Sequence, residues 1–236
     1  MNPFRLAGIT LVMTSLGFIA VFGYLASHFG YPEVLEGKAA DVLPAFVAGG
    51  GKMRAVWAVY AILPAGIALA ALLAFPLFRR AGEGLARLGR FAAITAAVAM
   101  TVGLARWPTL NYVLGRRFLA AGPVEQEHIA SIFDAGNLYL GNVIGEFIGE
   151  VGLSSWFLTL SLAIVRGVGL WRWTGYLGLF TAVSMTVGAF RNLTSLVAPI
   201  AALNNNLLPI FLIALGTALI VPIGQPRSDA RLAPTS

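Results

Sequence analysis

Six stretches of this chain, 6–27, 54–78, 90–113, 143–165, 172–191 and 198–222, are largely apolar and about as long as a membrane-spanning helix, which needs about 20 residues. Inside a bilayer every backbone N–H and C=O must find its partner within the protein, and a helix meets that demand by itself. The predicted fold is therefore all-α: a polytopic membrane helix bundle of about six transmembrane helices, with short interfacial helices on the outer side. Composition agrees. The 236 residues are 58% hydrophobic and 11% charged, with a mean hydropathy of +0.82, whereas soluble domains carry about 25% charged residues. The lipid bilayer is the first partner this implies. The net charge of +6 does not point to nucleic acid, because the basic residues are spread along the chain instead of forming one footprint. The chain has no cysteine, which removes disulfides, thiol chemistry and Cys-ligated metals.

The first apolar run is longer than the core of a signal peptide and has no Ala-x-Ala cleavage site after it, so it reads as a retained span. Orientation follows the side richer in Lys and Arg near the span ends. With a cytoplasmic N-terminus the inner side holds the arginine-dense loop of Arg79, Arg80, Arg87 and Arg90, which places both termini in the cytoplasm. Residues 1–222 form one transmembrane helical domain, and the polar tail 223–236 reads as disordered. Two segments depart from simple spans. In 33–51, Val42, Leu43, Phe46 and Val47 form a stripe suited to a short helix at the outer surface. Residues 128–165 are continuously compatible with a helix of roughly 57 Å at about 1.5 Å per residue, nearly twice the hydrocarbon thickness. An outer interfacial helix over about 125–141, ahead of the span, accounts for the excess; a break between Gly149 and Gly152 is the alternative.

That long segment contains DAGNLYLGNVIGEFIGE, residues 134–150, with an unusual density of polar groups for a membrane helix. At about 100° per residue, Gly141, Gly145 and Gly149 fall within about 80° of arc, and Asn142, Glu146 and Glu150 occupy the adjoining arc. Bulky apolar residues take the rest of the wheel. The glycine repeat lets another backbone approach closely, and the polar row beside it should face the bundle interior. Carboxylates inside a membrane cost several kcal/mol, so they either lock packing against arginines or serve a function.

Counting depth along each span brings further polar groups to the level of Glu146. Arg106 lies in the outer half of the third span, Arg191 ends the fifth, and Asn204, Asn205 and Asn206 fall in the outer half of the sixth. The inner half is apolar, which disfavours a through-channel. Glu146 and Glu150 are candidate proton- or ligand-binding groups, Arg106 is an anion contact or a partner of those carboxylates, and Asn142 and Asn204 to Asn206 are polar orienters. Arg191 is a further candidate for ligand binding, and its place at a span end also reads as that of a residue that snorkels to the interface; the triple-asparagine run reads as a broken or delayed helix start. With two His and no Cys, no transition-metal site is expected, and no cofactor-binding motif occurs.

Two longer patterns carry a resemblance. They are YPEVLEGKAADVLPAFVAGGG after the first span, and F-D-A-x-N-x-Y-L-G-N-x-x-G-E-x-x-G from Phe133 to Gly149. Together they resemble a group of bacterial multi-pass membrane proteins of about 230 residues that form a domain of unknown function. The resemblance implies a shared six- or seven-span fold in the bacterial inner membrane and assigns no activity. The leading functional expectation is an outward-facing polar pocket that binds or moves a small molecule, ion or lipid headgroup. The alternatives are a membrane-embedded acid–base enzyme using the glutamate pair, or a non-catalytic accessory or sensor subunit. That subunit would dock a membrane-protein partner, or a second copy, through the glycine face of helix 4.

Overall fold

The computed structural model describes residues 2–221; the predicted disordered tail, 223–236, lies outside the described residues. All regular structure described is helical. Helix α1 (Pro3–Phe29) starts where Asn2 accepts a hydrogen bond from the Phe4 N–H and Pro3 takes the first turn, and it stops at Gly30, whose left-handed φ of 65° favours glycine. A 3₁₀ turn (Glu33–Glu36) leads to α2 (Ala39–Ala48), α3 (Gly50–Ile62) and α4 (Pro64–Phe78). Helix α5 (Glu83–Ala105) continues through a π turn (Trp107–Asn111) into α6 (Tyr112–Ala120), and α7 (Pro123–Gly136) continues through a longer π stretch (Asn137–Ile148) into α8 (Gly149–Val165). Helices α9 (Arg172–Gly188) and α10 (Ala198–Ile220) complete the fold, joined by two 3₁₀ turns.

The protein is an all-α membrane helix bundle. Five helices are long and apolar enough to cross a bilayer: Pro3–Phe29, Gly50–Ala81, Glu83–Ala120, Pro123–Val165 and Ser195–Ile220. The predicted span 172–191 is a shorter helix, the 17 residues of α9, extended by the 3₁₀ turn Ala189–Asn192. Neighbouring helices form a closed ring in the order α1, α4, α5, α8, α9, α10 and back to α1. The ring's outside is apolar and exposed, at Met13, Leu72, Phe91 and Val183 among others, as a lipid-facing surface requires.

One half of the ring, at the end where the chain starts, is packed closely around Leu11, Ile67, Phe157, Phe211 and Leu215. Small residues make this possible. A Cβ on Gly216 would sit 2.7 Å from the Gly8 carbonyl oxygen, and one on Gly152 would sit 3.0 Å from the Ala92 carbonyl oxygen. Backbones that approach so closely gain dispersion contacts where lipid supplies no hydrophobic drive. At the other half, α6 and α7 project past the ring as a helical hairpin, and α2 packs across both. Their shared core is aromatic: Phe29, Phe46, Trp57, Trp107 and Phe133.

Three local expectations are corrected. Residues 123–165 are one helical run without a separate interfacial helix or a break at Gly149–Gly152. Its excess length is used by α7 in the hairpin, and its middle winds as a π-helix. The stripe of α2 does not rest on a membrane surface, because Val42, Leu43 and Phe46 are buried in the aromatic core. Helix α10 runs unbroken through Asn204, Asn205 and Asn206, having started earlier at Ala198 after a Thr194 side chain caps the preceding turn.

Candidate functional site

Between the packed half and the hairpin lies a cavity of about 650 Å³ bounded by α1, α3, α5, the long π stretch, the turn after α9 and α10. Ligand sites typically fall in the range of about 300–1,000 Å³. One wall is apolar, with Phe18, Phe22, Met100, Leu208 and Ile213; the rest carries Arg106, Glu146, Glu150, Arg191, Asn205 and Asn206.

Arg106 is 5% exposed and sits where α5 gives way to the π turn. Its Nε donates to Asn137 Oδ1 at 3.0 Å and its Nη1 donates to the Gly103 carbonyl at 2.5 Å. Its guanidinium lies 5.5 Å from the Trp107 ring centroid. Among the described residues no carboxylate comes within salt-bridge distance of it. The glycine row explains how so large a group fits. Gly141 lies under the guanidinium, where a Cβ would come within 2.6 Å of Nη2; Gly145 meets Gly103 backbone to backbone; Gly149 meets Met100. Thus Gly141, Gly145 and Gly149 all face α5 of the same chain in antiparallel register. The expectation that this glycine face docks a partner helix is corrected, since α5 already fills it.

The carboxylates belong to a second arginine. Arg191 donates through Nη1 to Glu150 Oε2 at 2.8 Å and through Nη2 to Glu150 Oε1 at 2.7 Å, a bidentate pair, and Nη2 lies 3.3 Å from Glu146 Oε2. Asn192 Nδ2 also donates to Glu146 Oε2, at 2.9 Å. Arg191 is therefore not a snorkelling interface residue: α9 ends at Gly188, and the 3₁₀ turn that follows swings the guanidinium onto the carboxylates. Both Glu150 oxygens accept from the Arg191 guanidinium, while the group still lines the cavity.

Of the remaining candidates, Asn205 and Asn206 line the cavity, whereas Asn142 is half-buried outside its wall. Asn204 is a packing residue: it accepts from Ser184 Oγ at 2.7 Å and donates to the Ser184 carbonyl at 3.2 Å, tying α10 to α9. Sequence reasoning missed Tyr31, Trp57, Tyr60 and Trp107, which line the cavity. Trp57 and Trp107 stack with ring centroids 4.6 Å apart, and both indole N–H groups are buried without an acceptor. The Tyr31 and Tyr60 hydroxyls lie 3.4 Å apart, and burial pushes the Tyr31 phenol above its ordinary range, so it stays a neutral donor. Spacing between these residues carried no periodic signal, because they come from three separate segments.

Residues 6–220 match the family described as a domain of unknown function, DUF4386. No curated protein and no solved structure matches the chain. The matched region takes in the whole helix ring, the hairpin and the cavity between them, and the chain belongs to the DUF4386 family.

Proposed function

We propose that this is a bacterial inner-membrane protein with both termini in the cytoplasm, and that its cavity faces outward to bind a small molecule or lipid headgroup. The observation that carries the reading is Arg106: a buried guanidinium on a cavity wall, with its hydrogen bonds only partly used and, among the described residues, no carboxylate paired with it. Burying an unpaired charge is costly unless something compensates it, and a bound ligand would do so. Binding is favoured over passage across the membrane, because the half that holds the Gly8–Gly216 crossing is closely packed. Residues 223–236 carry no part of this reading.

The absence of cysteine makes the test clean, since Asn206→Cys introduces a single thiol into the cavity wall. In intact cells this thiol should react with a membrane-impermeant maleimide, and a second substitution, Gly23→Trp, should slow the reaction several-fold by filling the cavity. Gly23 lines the cavity and has open space around its Cβ position. Labelling that needs permeabilised cells would overturn the outward orientation, and labelling indifferent to Gly23→Trp would overturn the cavity as the route of access.

A further inference from the structure

The cavity opens sideways. Helices α1 and α10 cross at Gly8 and Gly216, and the last tie between them is Ser15 Oγ donating to the Pro209 carbonyl at 2.9 Å. Around that point and further along, several residues of both helices that line the cavity are also exposed: Ile210 at 52%, next to Pro209, and Ile19 at 48%, then Gly23, Ala202 and Asn206. A mouth framed by isoleucines on two helices long enough to span a membrane faces hydrocarbon. Its inner wall, with Phe18, Phe22 and Leu208, continues that apolar surface inward.

At the closed end the charges are separated. Arg106 contributes one positive charge and holds no carboxylate, while Arg191 between Glu146 and Glu150 leaves that cluster one negative charge in excess. The four charged residues of the wall sum to zero, so a neutral guest preserves the balance and a net ion disturbs it in a low-dielectric space. Arg106 can only donate, and beyond Asn137 and the Gly103 carbonyl its N–H groups have no acceptor among the described residues. That end suits an oxyanion. Gly141 lies beneath the guanidinium and Glu146 follows five residues later, one turn of an i→i+5 helix.

We propose, resting on the reading of the cavity as a binding site, that its ligand is a zwitterionic amphiphile. A phosphate group would meet Arg106, a primary ammonium would meet the Glu146 side of the acidic cluster, and hydrocarbon chains would leave between α1 and α10. The guest slides in from the bilayer without its chains ever crossing water.

The test is native mass spectrometry of the purified full-length protein in detergent. It is titrated with equal amounts of short-chain phosphatidylethanolamine, phosphatidylglycerol and diacylglycerol, and separately with soluble glycerophosphoethanolamine. The proposal expects phosphatidylethanolamine adducts at least tenfold over phosphatidylglycerol. Glu146→Gln should remove that preference while leaving phosphatidylglycerol binding in place, Arg106→Gln should weaken both phospholipids, and Gly23→Trp should block all adducts. The last variant keeps the proposal exposed should Arg106→Gln fail to fold. Equal binding of all three lipids that Gly23→Trp still blocks would overturn the zwitterion and leave the binding site standing. Soluble glycerophosphoethanolamine binding as well as the lipid would overturn the sideways route. Adducts insensitive to Gly23→Trp, or none at all, would overturn both this inference and the reading it rests on.

Discussion

The two halves of the helix ring solve the membrane-packing problem in opposite ways. Where the chain starts, small residues bring backbones together and the core closes around Leu11, Phe157 and Phe211. At the other end aromatic rings pack among themselves around Trp57 and Trp107, and they leave a cavity of about 650 Å³ into which the charged residues point their chemistry. Close packing is available to any sequence that supplies glycine and alanine at the crossings. Withholding it at one end, and burying an arginine there, costs stability. The two arginines of the cavity sharpen the contrast: Arg191 is fully committed to Glu146 and Glu150, whereas Arg106 has only Asn137 and a backbone carbonyl.

The largest expected effect belongs to the packed half. Gly216→Leu would drive a side chain into the Gly8 backbone, a clash that no side-chain rearrangement relieves, and should abolish folded yield in size-exclusion chromatography. Next comes Arg191→Gln, which strips both glutamates of their partner. Removing one member of a buried pair costs about 3–5 kcal/mol, and the quarter exposure of this side chain reduces that; a fall of several degrees in melting temperature is expected. Asn204→Ala should cost about 1–3 kcal/mol by leaving the buried Ser184 hydroxyl unmatched, whereas Asn206→Ala, exposed at the mouth, should stay within about 0.5 kcal/mol in the same thermal assay. At the small end, Gly23→Ala should be neutral or stabilising by up to about 1 kcal/mol, since helix propensity favours alanine and the site has room. If Asn204 and Asn206 behave alike, the division between packed and open regions fails at α10.

Much of this arrangement is legible in the sequence, because hydropathy and depth are properties of single segments. The spans follow from apolar length, and depth counting alone brings Arg106, Glu146, Glu150, Arg191, Asn205 and Asn206 to one level. What depth cannot give is azimuth. Asn142 falls off the cavity wall because the wheel assumes about 100° per residue, and the i→i+5 bonding of Asn137–Ile148 turns each residue by less. Asn204 and Asn206 differ by two positions and so face different neighbours, a distinction that three identical residues in a row conceal. Arg191 was misjudged as an interface residue because the change from α-helix to 3₁₀ turn after Gly188 leaves no mark in composition. The aromatic wall was invisible for a third reason: Tyr31, Trp57 and Tyr60, and Trp107 meet only through the tertiary fold, as the stacked indoles illustrate.

The most direct test of the central claim compares Arg106→Met with Arg191→Met for thermal stability and for lipid retained after purification. Replacing a buried charge by an apolar side chain of similar volume is often neutral or stabilising when the fold does not depend on that charge. The account predicts that Arg106→Met melts within a few degrees of the unaltered protein, or higher, and loses its bound amphiphile, while Arg191→Met melts well below both. An Arg106→Met protein as unstable as Arg191→Met, or one that keeps the same bound lipid, would make Arg106 a packing residue and contradict the account.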